Sequence, residues 1–164
     1  METILVDAYN LMHKVPELKV LLKQSQDICV DTMVAKLQSH FMGSGRKVVL
    51  VFDGHGQNRH MKNIEVKFSR TDITHDYGDA DKLIKALIDK YRNKKLLRIV
   101  SSDNEIVWYA RECGSKVQSS KSFWGELKDK KLKQRIANQD IDEKPQVVTR
   151  GELEYLLKEF TKNK

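Results

Sequence analysis

The residues best suited to chemistry in this 164-residue chain are aspartates placed where short apolar segments end. Three of them end or closely follow a segment of strand length, and a fourth opens an amphipathic helical pattern. The four are Asp7, Asp53, Asp81 and Asp103. Open α/β sheets gather their functional groups outside the carboxyl ends of parallel strands. We therefore expect the four carboxylates to share one crevice.

Carboxylates crowded in this way repel one another and raise one another's pKa unless a cation neutralises them. A ligand set of oxygen atoms, without His or Cys, favours Mg²⁺ or Mn²⁺ over zinc. Such an ion suits the attack of water on a phosphodiester. The pattern thus predicts that all four aspartates are both metal ligands and catalytic residues.

Each of these aspartates also has a purely structural explanation, because Asp, Asn and Ser cap helices and turns. Independent caps have no reason to recur after three separate buried segments, so we favour the shared site. Three neighbouring residues are expected to assist it. Asn10 would hold the first carboxylate or contact a substrate phosphate, and Ser102 would bind phosphate or orient the last carboxylate. Asp79 would cap a helix and support the metal site.

Basic residues outnumber acidic ones by 30 to 23, which gives a net charge of +7. A basic surface around an acidic pocket predicts a polyanionic partner, usually nucleic acid, although a merely soluble basic protein fits the charge as well. Arg59 and Lys121 belong to two basic clusters that are expected to bind substrate phosphates without reading base sequence. A solvated helix face is an equal alternative for the later cluster. Phe123 and Trp124 in that cluster are expected to pack on the core rather than stack on bases.

Several classes of function are disfavoured by what the sequence lacks. Without a P-loop motif no nucleotide cofactor is expected, and without a GxSxG motif acyl transfer has no support. No segment approaches transmembrane length, so no membrane partner is expected. Cys29 and Cys113 lack metal-binding or redox spacing. They are expected to be reduced packing residues of a cytoplasmic protein.

Strand-length apolar segments alternate with helical patterns, which predicts an α/β sandwich with right-handed crossovers. The predicted strands cover residues 3–7, 47–52, 64–68, 96–101 and 115–118, with the third nearer an edge of the sheet. The predicted helices cover about residues 26–42, 79–92 and 150–161, and a further helix is predicted from residue 103 or 104 to residue 112. A loop or short turn is predicted at residues 8–14, ended by Pro16, and a flexible polar loop at residues 54–60. We expect one domain over residues 1–164, with a charged helical extension packed on it from residue 119.

Four motifs, taken in chain order, resemble the NYN domain of the YacP type, which belongs to the PIN-like nuclease superfamily. They are Leu5-Val6-Asp7-Ala8-Tyr9-Asn10, Val51-Phe52-Asp53-Gly54, Asp79-Ala80-Asp81 and Ser102-Asp103. The match runs from about residue 3 to residue 125. The usual family form of the first motif is VDGYN, and here Ala8 replaces its glycine.

This resemblance implies a PIN-like, Rossmann-like three-layer α/β/α sandwich with a mainly parallel central sheet. It also implies an endoribonuclease dependent on Mg²⁺ or Mn²⁺ that hydrolyses phosphodiester bonds in single-stranded RNA. The carried-over acids are Asp7, Asp53, Asp81 and Asp103, with Asn10 and Ser102 assisting. Because no separate RNA-recognition module is found, we expect a larger assembly such as the ribosome to present the RNA. A monomer or weak dimer is expected.

Two alternatives stay open at this point. The chain is equally compatible in fold with a catalytically silent RNA-binding module, whose acids only cap helices and bind structural metal. A DNA-directed nuclease of related fold is the second. A phosphatase or nucleotidase is disfavoured, because an early DxD nucleophile pair is missing and lysines are in surplus.

Overall fold

A sheet flanked by helices on both faces forms the centre of the computed structural model, which describes residues 1–71, 75–76 and 78–128. The strands are β1 (Thr3–Asp7), β2 (Lys47–His55), β3 (Arg59–Met61), β4 (Ile64–Thr71), β5 (His75–Asp76), β6 (Leu97–Val100) and β7 (Lys116–Gln118). The helices are α1 (Ala8–Lys14), α2 (Pro16–Gln24), α3 (Gln26–Phe41), α4 (Ala80–Lys90) and α5 (Asn104–Glu112), with a 3-10 turn at Lys94–Leu96. Residues 120–128 are also helical and are called α6 here.

The sheet is mainly parallel, as the resemblance implies. Its order is β3-β4-β2-β1-β6-β7, and β5 also pairs with β4. Only β3 and β5 run antiparallel to their neighbour β4 among the described strands. The central strands are continuous apolar runs because both of their faces are covered by helices. The predicted position of β4 near an edge is confirmed, since only the three-residue β3 lies beyond it in that order.

Alternate residues of the central strands face two separate layers of helices. Ile4 and Val6 join the core formed with α1, α2, α3 and α6. Leu5 and Ile99 join the core formed with α4 and α5. Phe123 and Trp124 of α6 are buried in the first core, which confirms their predicted packing role. The three-layer α/β/α sandwich is therefore confirmed.

The loop predicted at residues 8–14 is wrong, because these residues form α1. The Asp7 side chain caps this helix by accepting the N–H of Asn10. Residues 8–14 contain neither glycine nor proline, so nothing interrupts a helix once it is capped. Pro16 does not end a loop but begins α2, where its fixed φ and missing N–H are tolerated.

The flexible loop predicted at residues 54–60 is also partly wrong. β2 continues to His55 after a register shift against β4, and β3 then forms a hairpin with β4. Of the glycines that suggested a loop, Gly54 lies within β2 and Gly56 directly follows it. A Cβ on Gly56 would lie 2.5 Å from the ring of Phe68, so the close approach requires glycine.

The charged extension predicted from residue 119 is described only as far as α6. The rest of it, including the helix predicted at residues 150–161, lies outside the described residues. Within the described part of the chain, no helix is both long enough and apolar enough to cross a membrane.

Candidate active site

Asp7 lies at the carboxyl end of β1 and is only 6% exposed. Its Oδ1 accepts the Asn10 N–H at 3.0 Å, and its Oδ2 accepts the Ser101 hydroxyl at 2.9 Å. Burial raises the pKa of this carboxyl group to about 6, against the two hydrogen bonds, and the charges of Asp81 and Asp103 raise it further. The fold thus holds a carboxylate where it is costly to ionise, next to two more acids.

Asp103 follows β6 and begins α5. Its Oδ1 caps the helix by accepting the backbone N–H groups of Glu105 and Ile106. Its own N–H donates to the Ser101 hydroxyl at 3.0 Å, the same hydroxyl that donates to Asp7. One serine therefore links the ends of two adjacent strands and fixes the relative position of their acids.

Asp81 lies in the first turn of α4, on the side of the sheet that Asp7 faces. Burial and then the charge of Asp103 raise its pKa, and the charges of Asp79 and Glu105 act in the same direction. Asp79 itself is the N-cap of α4 and accepts the Lys82 N–H at 2.8 Å. That hydrogen bond lowers the pKa of Asp79, which is consistent with a supporting residue that stays ionised.

Asp53 lies one strand away from Asp7, near the end of β2, and is exposed. Its Oδ1 accepts the hydroxyl of the buried Ser69 on β4 at 2.8 Å. Ser69 in turn accepts the N–H of Gly54 at 3.0 Å. The charges of Asp7, Asp81 and Asp103 therefore act on one another, whereas Asp53 lies at the side of this group.

Asn10 forms a second network beside the acids. Its Oδ1 accepts two donors, the Ser102 N–H at 2.9 Å and the Ser120 hydroxyl at 2.8 Å. The Ser102 hydroxyl accepts the Ser120 N–H at 3.1 Å, which ties the start of α6 to the end of β6. Two donors on the oxygen fix the orientation of the amide. Its NH₂ group has no hydrogen-bond partner among the described residues and so remains available as a donor.

Two of the residues in these networks were not assigned a role from the sequence. Ser101, rather than Ser102, contacts Asp7 and the Asp103 N–H. Ser120 is fully buried and contacts both Asn10 and Ser102. Serines that follow a buried strand or precede a helix were the available signal, but their partners lie far away in the sequence.

The two basic residues predicted to bind substrate lie at different distances from the acids. Lys121 is exposed and is the second residue of α6, directly after Ser120. Arg59 is exposed on the edge strand β3, with β4 and β2 between it and β1. Lys121 therefore adjoins the Asn10 network, whereas Arg59 belongs to a more distant part of the surface.

The donor set fits Mg²⁺ or Mn²⁺ chemically, since it consists of oxygens and its carboxylates repel one another. Within residues 1–71, 75–76 and 78–128, however, no three Asp, Glu, His or Cys side chains lie close enough together to form a metal-binding group. Mg²⁺ needs only one or two carboxylates, because it usually keeps several water ligands. The arrangement is thus suited to a hydrated ion rather than to a cage of protein ligands.

Comparison with known proteins now identifies the family. The YacP-like NYN domain matches residues 4–162, nearly the whole chain. The chain belongs to this family. Membership of the YacP-like NYN family suggests a nuclease-type domain. YacP of Bacillus subtilis (strain 168) is 27% identical over 144 residues, which cover 83% of this chain and 82% of that protein.

Solved structures of Rae1 (YacP) from Bacillus subtilis share the fold of this NYN domain. One structure has a TM-score of 0.65 at 24% identity, and the match covers 99% of this chain and 94% of the Rae1 chain. The structure of a mutant form has a TM-score of 0.66 at 23% identity, and the match covers 93% of this chain and 91% of the mutant's chain. At this level of identity the likeness concerns the fold, and it agrees with the PIN-like sandwich.

Proposed function

We propose that this NYN domain is a metal-dependent endoribonuclease that hydrolyses phosphodiester bonds in single-stranded RNA. One observation carries the proposal: Asp7, Asp81 and Asp103 come from three different elements and act on one another electrostatically at the carboxyl end of the sheet. A fold that only needed helix caps would not require the buried Asp7 to tolerate two further acids. The repulsion favours a site that is completed by a cation.

Asp7, Asp81 and Asp103 would hold a hydrated Mg²⁺ or Mn²⁺, one or two of them directly and the others through its water ligands, with Asp53 contributing from the neighbouring strand. A bound divalent cation of this kind supplies water activation and neutralises negative charge on the phosphate. Ser101 keeps the Asp7 carboxylate oriented, and the Asn10 N–H holds its other oxygen. The proposal therefore assigns the four aspartates to metal binding and catalysis, and Ser101 to their positioning.

Asn10 would bind the substrate rather than the metal. Both hydrogen bonds to its oxygen come from the protein, so its NH₂ group can donate to a phosphate oxygen. The Ser102 N–H donates to Asn10 and its hydroxyl accepts the Ser120 N–H, so Ser102 would position the amide, and its O–H could still donate to a phosphate. Lys121 adds positive charge beside this network, which favours an anionic backbone.

The decisive experiment incubates labelled single-stranded RNA and DNA with the purified protein and Mg²⁺ or Mn²⁺. We expect cleavage of RNA that is lost with EDTA and in Asp7→Asn and Asp81→Asn. Asp31→Asn, an exposed position on α3, is the charge-matched control and should cleave like the wild type. RNA binding without cleavage would instead support a silent RNA-binding module. Preferential cleavage of DNA would support a DNA-directed nuclease.

We further propose that a larger assembly such as the ribosome presents the RNA. This rests on the small size of the domain and on phosphate contacts that carry no base sequence information. The test compares cleavage of one messenger RNA when it is naked and when it is bound to ribosomes. Cleavage of the naked RNA at the same discrete sites and at the same rate would overturn this part of the proposal.

A further inference from the structure

A cavity of about 180 Å³ lies beside α4, at the opposite end of the strands from the acids. Val49 and Leu97 of the sheet line it, as do Leu87 of α4 and Tyr91, which directly follows that helix. The Tyr91 hydroxyl donates to Thr3 Oγ1 at 2.7 Å, so the ring is held in place. The cavity thus combines apolar walls with one fixed aromatic ring, and its size suits a single flat base.

Two lysines and one buried glutamate form the polar rim of this cavity. Glu65 is 6% exposed, and its two oxygens lie 2.6 Å from Lys47 Nζ and 2.7 Å from Lys67 Nζ. His60 Nε2 lies 3.7 Å from the same carboxylate. One lysine would neutralise one glutamate, so the second leaves an excess of positive charge at the rim. Both lysine side chains remain partly exposed, at 42% and 25%.

The cavity and the acids lie on the same face of the sheet. Thr3, Leu5 and Asp7 are alternate residues of β1 and all lie on that face, from the cavity to the carboxyl end of the strand. Four residues of strand span roughly 13 Å. α4 covers the same distance in the opposite direction, with Asp81 in its first turn beside the acids and Leu87 near its end beside the cavity. A strand of RNA a few nucleotides long that follows α4 would therefore contact both places.

We propose that this cavity is a second RNA subsite, which takes one unpaired base while Lys47 and Lys67 bind the adjoining phosphates. The inference rests on the proposed function, since it extends the RNA path from the acids along α4. Proteins that bind single-stranded nucleic acid combine a positively charged groove with aromatic rings on which bases stack. Tyr91 and the lysine pair supply both parts, and Glu65 holds the two ammonium groups side by side.

The first test measures binding of a short oligouridine in EDTA, so that cleavage plays no part. Lys47→Gln and Lys67→Gln each leave Glu65 with one lysine partner, which keeps the buried carboxylate paired. Each change should weaken binding at least about threefold and reduce the salt slope by about 0.7. Lys19→Gln and Lys23→Gln on α2 carry the same charge change at exposed positions and should have much smaller effects.

The second test locates the base directly. Oligouridine carrying a photoreactive 5-iodouridine should cross-link to Tyr91, and mass spectrometry should find far less product at the exposed Trp108. Wild-type affinity in both rim variants, or equal cross-linking of Trp108, would overturn the subsite. If RNA is nevertheless cleaved in a manner that depends on Asp7, the proposed nuclease stands while this inference fails. Absence of any RNA binding by the wild type would overturn both.

Discussion

Asp7 combines burial, two hydrogen bonds and two acidic neighbours in a single side chain. Its pKa is raised to about 6, so in the metal-free protein this carboxyl group holds its proton more tightly in the folded state than in the unfolded chain. Such a group contributes stability that is fully present below its unfolded pKa of about 3.9 and is lost as the pH rises through its folded pKa. A bound cation would oppose this loss of stability at higher pH, because it stabilises the ionised carboxylate.

We therefore predict that Asp7→Asn gains stability relative to the wild type as the pH rises in EDTA. The relative gain in the free energy of unfolding should be about 1 kcal/mol between pH 5 and pH 8. Urea unfolding at the two pH values measures it. Mg²⁺ should stabilise the wild type but not the variant. A difference that stays constant with pH would contradict the raised pKa.

Ser120 matters at the same scale, because its hydroxyl fixes the Asn10 amide. Ser120→Ala should destabilise the protein by about 1 kcal/mol and reduce RNA cleavage several-fold. Ser122→Ala, an exposed position on the same helix, should change neither. Once Asn10→Ala is present, adding Ser120→Ala should cause little further loss of activity, since the two side chains act together. Additive losses would show that Ser120 does not act through Asn10.

Elements bring these residues together, and α6 is the one whose anchoring is easiest to test. Phe123 is fully buried and stacks on Phe41, with ring centroids 6.2 Å apart. Trp124 donates its Nε1–H to Glu17 at 3.0 Å and lies under the ammonium group of Lys36. The helix that carries Ser120 is thus packed firmly against α2 and α3.

Removing the buried Phe123 ring of α6 should strongly destabilise the fold. We predict that Phe123→Ala lowers the free energy of unfolding by about 3–5 kcal/mol, because a large cavity remains in the core. Trp108→Ala removes an even larger ring from a position that is 64% exposed, and should have little effect. Urea titrations compare the two variants. Equal losses would show that the described packing of α6 is wrong.

At the level of elements, the sequence was sufficient where a pattern is local. The apolar run of β1 places Asp7 correctly at a strand end, and Asp103 follows β6 as the N-cap of α5. The run before Asp53 was less reliable, because β2 continues past this aspartate to His55. α1 was missed because its seven residues are too few to show a clear period, and its cap comes from Asp7 itself. β3 was missed because three residues become a strand only through pairing with β4.

The networks around the acids could not be predicted for a different reason. The Ser101–Asp7 hydrogen bond joins residues 94 positions apart, and the Ser120–Asn10 bond joins residues 110 positions apart. Only the strand order, with β1 beside β6, brings these serines to the first aspartate. The positions of the aspartates in the sequence indicate a site, whereas the residues that hydrogen-bond to them depend on the strand order.

For the molecule as a whole, the net charge of +7 determines how RNA should bind. Because binding phosphates releases counterions, the logarithm of the affinity should fall linearly with the logarithm of the salt concentration. We expect a slope steeper than about −2 for single-stranded RNA in EDTA, which corresponds to three or more phosphate contacts. Fluorescence anisotropy over a series of salt concentrations measures it. An affinity that is independent of salt would contradict an electrostatic RNA surface.

The long span of the Asn10 network has a consequence for the protein's own synthesis. Asn10 leaves the ribosome early, yet the hydroxyl that locks its amide belongs to Ser120. A nascent chain that ends before Ser120 therefore carries Asn10 without the hydroxyl that orients its amide. Under the proposed function, the nascent chain has no complete site until Ser120 has been synthesised, when most of the chain has been translated.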